Sequence, residues 1–147
     1  MILAFDDPML IAKGFFFSES LLLIAFIDGL THEIPNGLLI PVMAAGLIHF
    51  QLMESMEGFF AVSLVFLLVS VLTGGGIGGG DVKFMAAAGF VLGPFGAVGG
   101  ALIGLFLFFL FCLCFRRNRC EKKRYAMAPW LSAGCILSYL LTGGIAA

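Results

Sequence analysis

The sequence predicts an all-α, polytopic membrane protein with about six transmembrane helices. Hydrophobic residues make up 61% of the 147 positions, charged residues only 12%, and the mean hydropathy is +1.12. A soluble domain is about half apolar and about a quarter charged, so this chain has too few polar groups to cover a surface in water. In lipid, helices satisfy the backbone within each segment. The composition excludes a nucleic-acid-binding domain, a secreted disulfide scaffold and a disordered adaptor.

Apolar runs separated by polar or glycine-rich breaks predict the individual helices within one domain, residues 1–147. A bilayer core needs about 20 apolar residues per helix, and several runs are shorter, so their ends are approximate. The amino terminus opens with acids rather than the basic residues of a cleaved signal peptide, and we assign it to the approach to the first helix. The candidate helices cover residues 9–27, 38–50, 58–72, 82–95, 97–115 and 126–143.

The basic residues predict the orientation of these helices. Six of the eight lysines and arginines lie in residues 116–124, and Lys83 is a seventh. If the helices alternate, the links after the first, third and fifth helices share one side and hold these residues, which makes that side cytoplasmic. We interpret residues 116–124 as a topology anchor that contacts anionic lipid rather than as a substrate site. The prediction is a multi-pass protein of the inner (cytoplasmic) membrane.

Two aspartates are the candidate catalytic residues. Asp28 ends the first apolar run, and Asp81 follows the glycine-rich stretch 74–80 at the start of the fourth helix, on the same predicted side. Ionisable groups at membrane depth are costly and usually face a polar cavity. The alternative is that each carboxylate only caps a helix end. That alternative suits Asp81 better than Asp28, since a helix amino terminus favours an anion and a carboxyl terminus disfavours one.

The backbone around both aspartates is expected to be irregular. Six glycines occupy the seven positions before Asp81, which predicts a flexible loop on the cytoplasmic side rather than helix. Residues 34–36, Ile-Pro-Asn, predict a break between the first two helices. Irregular backbone at membrane depth persists only where it is buried in protein or lines water. A hydrolytic site inside a membrane needs such an environment.

These two motifs resemble those of the type IV prepilin peptidases, which are polytopic aspartic endopeptidases that trim prepilin leaders. Residues 78–81 read as G-x-G-D, and Asp28 with residues 34–36 reads as D-x5-I-P-N. G-x-G-D alone also occurs in presenilin-like proteases, whereas the two motifs in this order are more specific. Residues 128–131 with Gly134 resemble the family's final-helix motif, although Trp130 stands where Phe is more usual.

The resemblance implies a set of site residues and partners. The implied residues are Asp28 and Asp81 as the catalytic pair, Gly78, Gly80 and Lys83 in the active-site loop, and Ile34, Pro35 and Asn36 as a structural motif near the site. It implies no metal and no cofactor. The implied partners are a prepilin, whose short basic leader is cut before a hydrophobic helix at the cytoplasmic face, and membrane lipid, but no nucleic acid. The oligomeric state stays open.

The segment before the first helix favours one branch of this family. Bifunctional members carry an additional amino-terminal region with cysteine pairs that is implicated in N-methylation, and no cysteine precedes the first predicted helix here. We therefore expect the short, peptidase-only form that serves Flp- or Tad-type pili or related secretion systems.

Peptide hydrolysis by two carboxylates needs one to activate water and the other to polarise the carbonyl and protonate the leaving amine. Close carboxylates share a proton and titrate as a pair. The helix dipoles suggest Asp81 as the base and Asp28 as the acid. Lys83 either modifies the charge of the pair or anchors the interface.

Three other functions stay open at this point. A small proton- or cation-coupled carrier or channel could use the same two aspartates, but its acids should spread through the membrane depth, and no inverted repeat is evident. An inactive assembly scaffold would tolerate Asp28→Asn or Asp81→Asn. A presenilin-like protease would need a second motif and more helices. His32 and His49 are expected on opposite sides of the membrane, which leaves no metal site or triad that uses both.

Overall fold

The computed structural model describes residues 8–32, 34–48, 52–72, 74, 78–115 and 127–142. Every regular element in these ranges is helical. The helices are α1 (Pro8–Thr31), α2 (Leu39–Gly46) preceded by a 3-10 turn (Asn36–Leu38), α3 (Leu52–Leu72), α4 (Gly79–Phe115) and α5 (Ala128–Thr142). By length and composition α1, α3 and α4 can each cross a membrane, and the other two are shorter apolar helices. The predicted class, an all-α membrane protein, is confirmed.

The outer surface of the bundle is apolar, as a lipid environment requires. Large hydrophobic side chains stay exposed on every long helix, among them Phe26 at 67%, Val71 at 71% and Leu102 at 63%. Contiguous apolar patches of this extent are rare on soluble monomers. The buried core holds aromatic and aliphatic side chains from several helices, including Phe17, Leu21, Phe84 and Leu131.

Helix α4 is a helical hairpin rather than one long rod. Gly93 has a non-helical backbone (φ 69°, ψ 178°), and Pro94 follows it. A Cβ placed on Gly89 would lie 3.5 Å from the Cβ of Ala97. Eight residues of straight helix would separate these two positions by about 12 Å. The chain therefore reverses at Gly93, and α4 has a first arm, residues 79–92, and a second arm, residues 94–115.

These two arms take the places of the predicted helices 82–95 and 97–115. The number of helices that cross the membrane stays a prediction.

Helix α5 joins α1 to the second arm of α4. The Tyr139 hydroxyl donates to the Leu10 carbonyl across 2.8 Å, and the Ser132 hydroxyl donates to the Leu21 carbonyl across 3.3 Å. On its other face, the Ser138 hydroxyl donates to the carbonyl of Gly96 across 2.8 Å. The order of these contacts makes α5 antiparallel to α1. The start of α5 consequently lies beside the end of α1.

Glycines allow several helices to approach each other closely. A Cβ on Gly58 of α3 would lie 2.7 Å from the carbonyl carbon of Gly93, and a Cβ on Gly134 of α5 would lie 2.7 Å from the Cα of Gly104. Neither contact leaves room for a side chain, and such small-residue contacts are how membrane helices approach closely. The four-residue glycine spacing in α4 therefore serves packing, except at Gly93, where a positive φ makes the turn.

The two ends of the bundle differ in character. One end, called the site end, holds the end of α1 with Asp28, the start of α4 with Asp81 and the start of α5 at Ala128. The opposite end, called the far end, holds the Gly93 turn. Gly46, the last residue of α2, lies against the ring of Phe90 near this turn. The predicted basic anchor, residues 116–124, lies outside the described residues, and the orientation of the bundle in the membrane stays a prediction.

Candidate active site

Asp28 lies in the last turn of α1 and is 6% exposed. Its Oδ2 accepts a hydrogen bond from the backbone N–H of Ala128 across 3.2 Å. Ala128 is the first residue of α5, so the carboxylate satisfies an N–H group that has no partner inside its own helix. Asp28 therefore lies at the carboxyl end of one helix and at the amino end of another.

This arrangement removes the basis for the predicted division of roles. Asp28 was expected to be the acid because the end of α1 disfavours an anion. The start of α5, which favours an anion, lies against the same carboxylate. Since Asp81 also lies in the first turn of a helix, the dipoles do not distinguish the two residues.

Helix α1 is followed by a residue with an unusual backbone conformation. His32 has a left-handed backbone (φ 53°), and its N–H donates to the carbonyl of Asp28 across 2.8 Å. Glycine is the common residue where a helix ends in this way, although histidine tolerates a positive φ better than most. Pro35 then prevents further helix, and the chain enters the 3-10 turn at Asn36. The break that residues 34–36 predict is observed.

Asp81 follows the glycines in a different structure from the predicted loop. Helix α4 begins at Gly79, and the N–H of Asp81 donates to the carbonyl of Gly78 across 3.0 Å. Gly80 consequently lies in helix where a loop was predicted, whereas Lys83 lies within the helix predicted from residue 82. The role of both residues at the active site stays a prediction. A carboxylate in the first turn favours the helix, and Phe84 anchors it by full burial. Residues 75–77 lie outside the described residues.

Both aspartates line one cleft of about 370 Å³ at the site end. The remaining lining residues are His32, Ile34, Asn36, Gly78, Gly79, Gly80 and Lys83. The structure thus brings together every predicted site residue except Pro35, which is next to the cleft in sequence but does not line it. The two carboxylates are close enough for their charges to repel. Such a pair can share one proton between an acid and a base.

The two sequence motifs form opposite walls of this cleft and contact each other directly. Lys83 donates from Nζ to Oδ1 of Asn36 across 3.2 Å. A Cβ on Gly80 would lie 3.4 Å from the side chain of Ile34, so the backbone at Gly80 passes close to this side chain. The sequence offered two roles for Lys83, to modify the charge of the pair or to anchor the interface. The structure shows a different contact, a hydrogen bond to the side-chain amide oxygen of Asn36.

His32 is the cleft residue that sequence reasoning missed. It was considered only together with His49, as part of a metal site or a triad, and His49 lies outside the described residues. Its place one helical turn after Asp28 is the signal that could have identified it, because residues four apart share a helix face. In the described part of the chain, no group of three or more His, Cys, Asp and Glu side chains is placed to hold a metal ion.

Comparisons with known proteins agree on one family. Residues 15–116 match the sequence profile of the type IV leader peptidase family. The chain is similar to the prepilin leader peptidase/N-methyltransferase of Bacillus subtilis (strain 168), with 33% identity over 138 residues. The match covers 84% of this chain and 53% of the relative, so the chain spans about half the length of that protein. No solved structure matches it.

Proposed function

The chain belongs to the type IV leader peptidase family, and on that premise we propose that it is a membrane peptidase that removes the leader of a prepilin-like precursor with Asp28 and Asp81 as its catalytic pair. The observation that carries this proposal is the shared cleft, which both carboxylates line. Neither the cleft nor the family match identifies the precursor. By resemblance, Flp- or Tad-type pilins or related secretion substrates are the proposed class.

The geometry supports hydrolysis by two carboxylates. An ionised carboxylate takes a proton from a water molecule as the water attacks the scissile carbonyl carbon, while its protonated partner donates a hydrogen bond to the carbonyl oxygen. Collapse of the tetrahedral intermediate then breaks the C–N bond, and the leaving amine takes a proton from the pair. Repulsion between Asp28 and Asp81 favours the singly protonated state that this sequence of steps requires.

The depth of the cleft supports a substrate that is itself a membrane protein. Asp28 closes a long apolar helix, so the cleft lies where an apolar segment gives way to polar chain. A precursor with a basic leader before a hydrophobic helix has its scissile bond at such a boundary. The acidic pair also attracts a basic leader electrostatically. We propose that cleavage occurs at the cytoplasmic face of the inner membrane, with prepilin and lipid as the partners.

The test is leader cleavage of a co-reconstituted prepilin by the wild type, Asp28→Asn and Asp81→Asn. We expect each substitution to lower the rate by at least about a hundredfold, since each removes a general acid or base. Glu19→Gln is the matched control, because Glu19 is an exposed acid on α1 that does not line the cleft. Full activity in either cleft variant would remove that residue from the chemistry.

Failure of the wild type to cleave any prepilin would favour the carrier or channel alternative. The peptidase and the carrier or channel both need ionisable groups in the membrane. Ion flux through reconstituted vesicles would then be the next measurement. The placement of the pair at one end of the bundle favours the peptidase. A conducting path needs polar groups along the membrane depth.

A further inference from the structure

The backbone of His32 has an energetic cost that packing does not explain. A left-handed residue other than glycine costs about 1 kcal/mol or more. The side chain of His32 is exposed, so burial of the ring does not compensate for this cost. Its N–H completes the end of α1 at the Asp28 carbonyl, and glycine would do the same without strain. The side chain itself therefore needs an explanation.

The side chain lies where it can act on the catalytic pair. His32 lines the same cleft as Asp28 and Asp81, and its hydrogen bond to the Asp28 backbone fixes the spacing between the two residues. A positive charge on the imidazole would therefore lie in the same cleft as the Asp28 carboxylate and favour its ionised form. Lys83 is a second basic residue among the described lining residues, and its ammonium group donates to Asn36.

We propose that His32 is a positioning residue whose protonated imidazole stabilises the carboxylate form of Asp28. This role rests on the proposed peptidase function, and it makes His32 the source of the positive charge that favours the ionised form of Asp28. Histidine is the side chain that most readily changes charge near neutral pH. Among the described residues, the titratable groups that line the cleft with Asp28 are Asp81 and Lys83 of α4 and His32 after α1, and the Ala128 N–H of α5 donates to its carboxylate.

The sign of the effect follows from these charges. A cation beside a carboxylate favours the ionised form, so removal of the imidazolium should make Asp28 take up its proton at higher pH. Lysine keeps a positive charge throughout the range in which carboxylates titrate, so His32→Lys tests whether charge is the cause. A lysine at position 32 should keep the titration midpoint of Asp28 at or below its value with histidine.

Infrared titration tests the inference without any substrate. In an Asp81→Asn background, the carbonyl stretch of protonated Asp28 is followed against pH and assigned by its loss in the additional Asp28→Asn variant. We expect His32→Asn and His32→Gly to move its midpoint upward by about half a pH unit or more. His32→Lys should return it to the original value or below. His32→Gly relieves the backbone, so agreement between the Asn and Gly variants separates charge from strain.

The same variants on an intact catalytic pair supply a second readout. The acidic limb of the pH profile for leader cleavage should move upward in His32→Asn and return in His32→Lys. Unchanged infrared midpoints in His32→Asn and His32→Gly would overturn the inference, as would a shifted midpoint that lysine does not restore. Absence of cleavage by the wild type would count against the proposed function alone, because the infrared midpoints decide the role of His32 independently.

Discussion

The backbone N–H of Ala128 donates a hydrogen bond to Oδ2 of Asp28 across 3.2 Å, although 100 positions separate the two residues in sequence. The proposed catalytic residue is thus also the cap of α5. Buried backbone donors are costly to leave without a partner. Substitutions at Asp28 therefore change two properties, the charge of the pair and the anchoring of a helix, and the choice of replacement determines which is measured.

We expect Asp28→Ala to lower the free energy of unfolding by about 1–2 kcal/mol, since the Ala128 N–H loses its acceptor. Asp28→Asn should lower it by less, because the amide oxygen can still accept this hydrogen bond. Equilibrium unfolding in mixed detergent micelles measures the difference. Glu19→Ala controls for loss of an acid from the exposed face of α1. Equal stability of the Ala and Asn variants would show that the hydrogen bond contributes little.

The glycines before Asp81 should differ sharply in their tolerance of alanine. A Cβ on Gly78 would lie 3.3 Å from Oδ2 of Asp81, whereas a Cβ on Gly79 would meet nothing within 4 Å. We expect Gly78→Ala to displace the carboxylate and lower kcat for leader cleavage about tenfold. Gly79→Ala should retain the wild-type rate. Similar rates for the two variants would contradict the role given to Gly78.

The contact between Lys83 and Asn36 should behave as one unit in a double-mutant cycle. We expect Lys83→Met and Asn36→Leu each to lower kcat/KM about three- to tenfold, because either change loosens the two walls of the cleft. The double variant should be no worse than the poorer single variant. Strictly additive losses would mean that the two residues act separately. Unfolding measurements should show little change, since the contact is exposed.

The far end of the bundle offers a test of packing that leaves the chemistry intact. A Cβ on Gly58 would meet the backbone of Gly93, so Gly58→Ala should lower the free energy of unfolding by about 1–3 kcal/mol. Gly29→Ala is the control, because a Cβ there meets nothing within 4 Å and alanine favours helix. Both should cleave at the wild-type rate per folded molecule. If Gly58→Ala leaves the free energy of unfolding unchanged, the close contact between α3 and the Gly93 turn is contradicted.

Hydropathy was sufficient to predict the class and the approximate positions of the helices, because long apolar segments in lipid have few alternatives to helix. The division of α4 was placed at residue 96 in the sequence, whereas the chain turns at Gly93. Gly93 and Pro94 lie within an apolar run, so no polar residue marks the turn. The conformation was determined by backbone properties that hydropathy does not measure.

The site was predicted in its composition but not in its local structure. The motifs identified most of the residues that line the cleft, yet the glycine run predicted a loop at Gly80, which lies in helix. Residues in contact far along the chain, such as Asp28 and Ala128, meet only because α5 packs antiparallel to α1. A single sequence does not encode that pairing in any local pattern. His32 was missed because its spacing of four residues from Asp28 was not considered, and its left-handed backbone is not visible in the sequence.

The hydrogen bonds from α5 to α1 and to the second arm of α4 also have a consequence for the order of synthesis. Of the described helices, α5 leaves the ribosome last, yet it provides the N–H that caps Asp28 and the hydroxyl groups that tie α1 to the hairpin. A nascent chain that lacks α5 already contains both aspartates, but it lacks the hydrogen bonds that α5 makes to α1 and to the second arm of α4. We therefore expect the cleft to reach its final geometry only after α5 has been made and has packed, so that a partly made chain would not yet hold the two proposed catalytic residues in their final places.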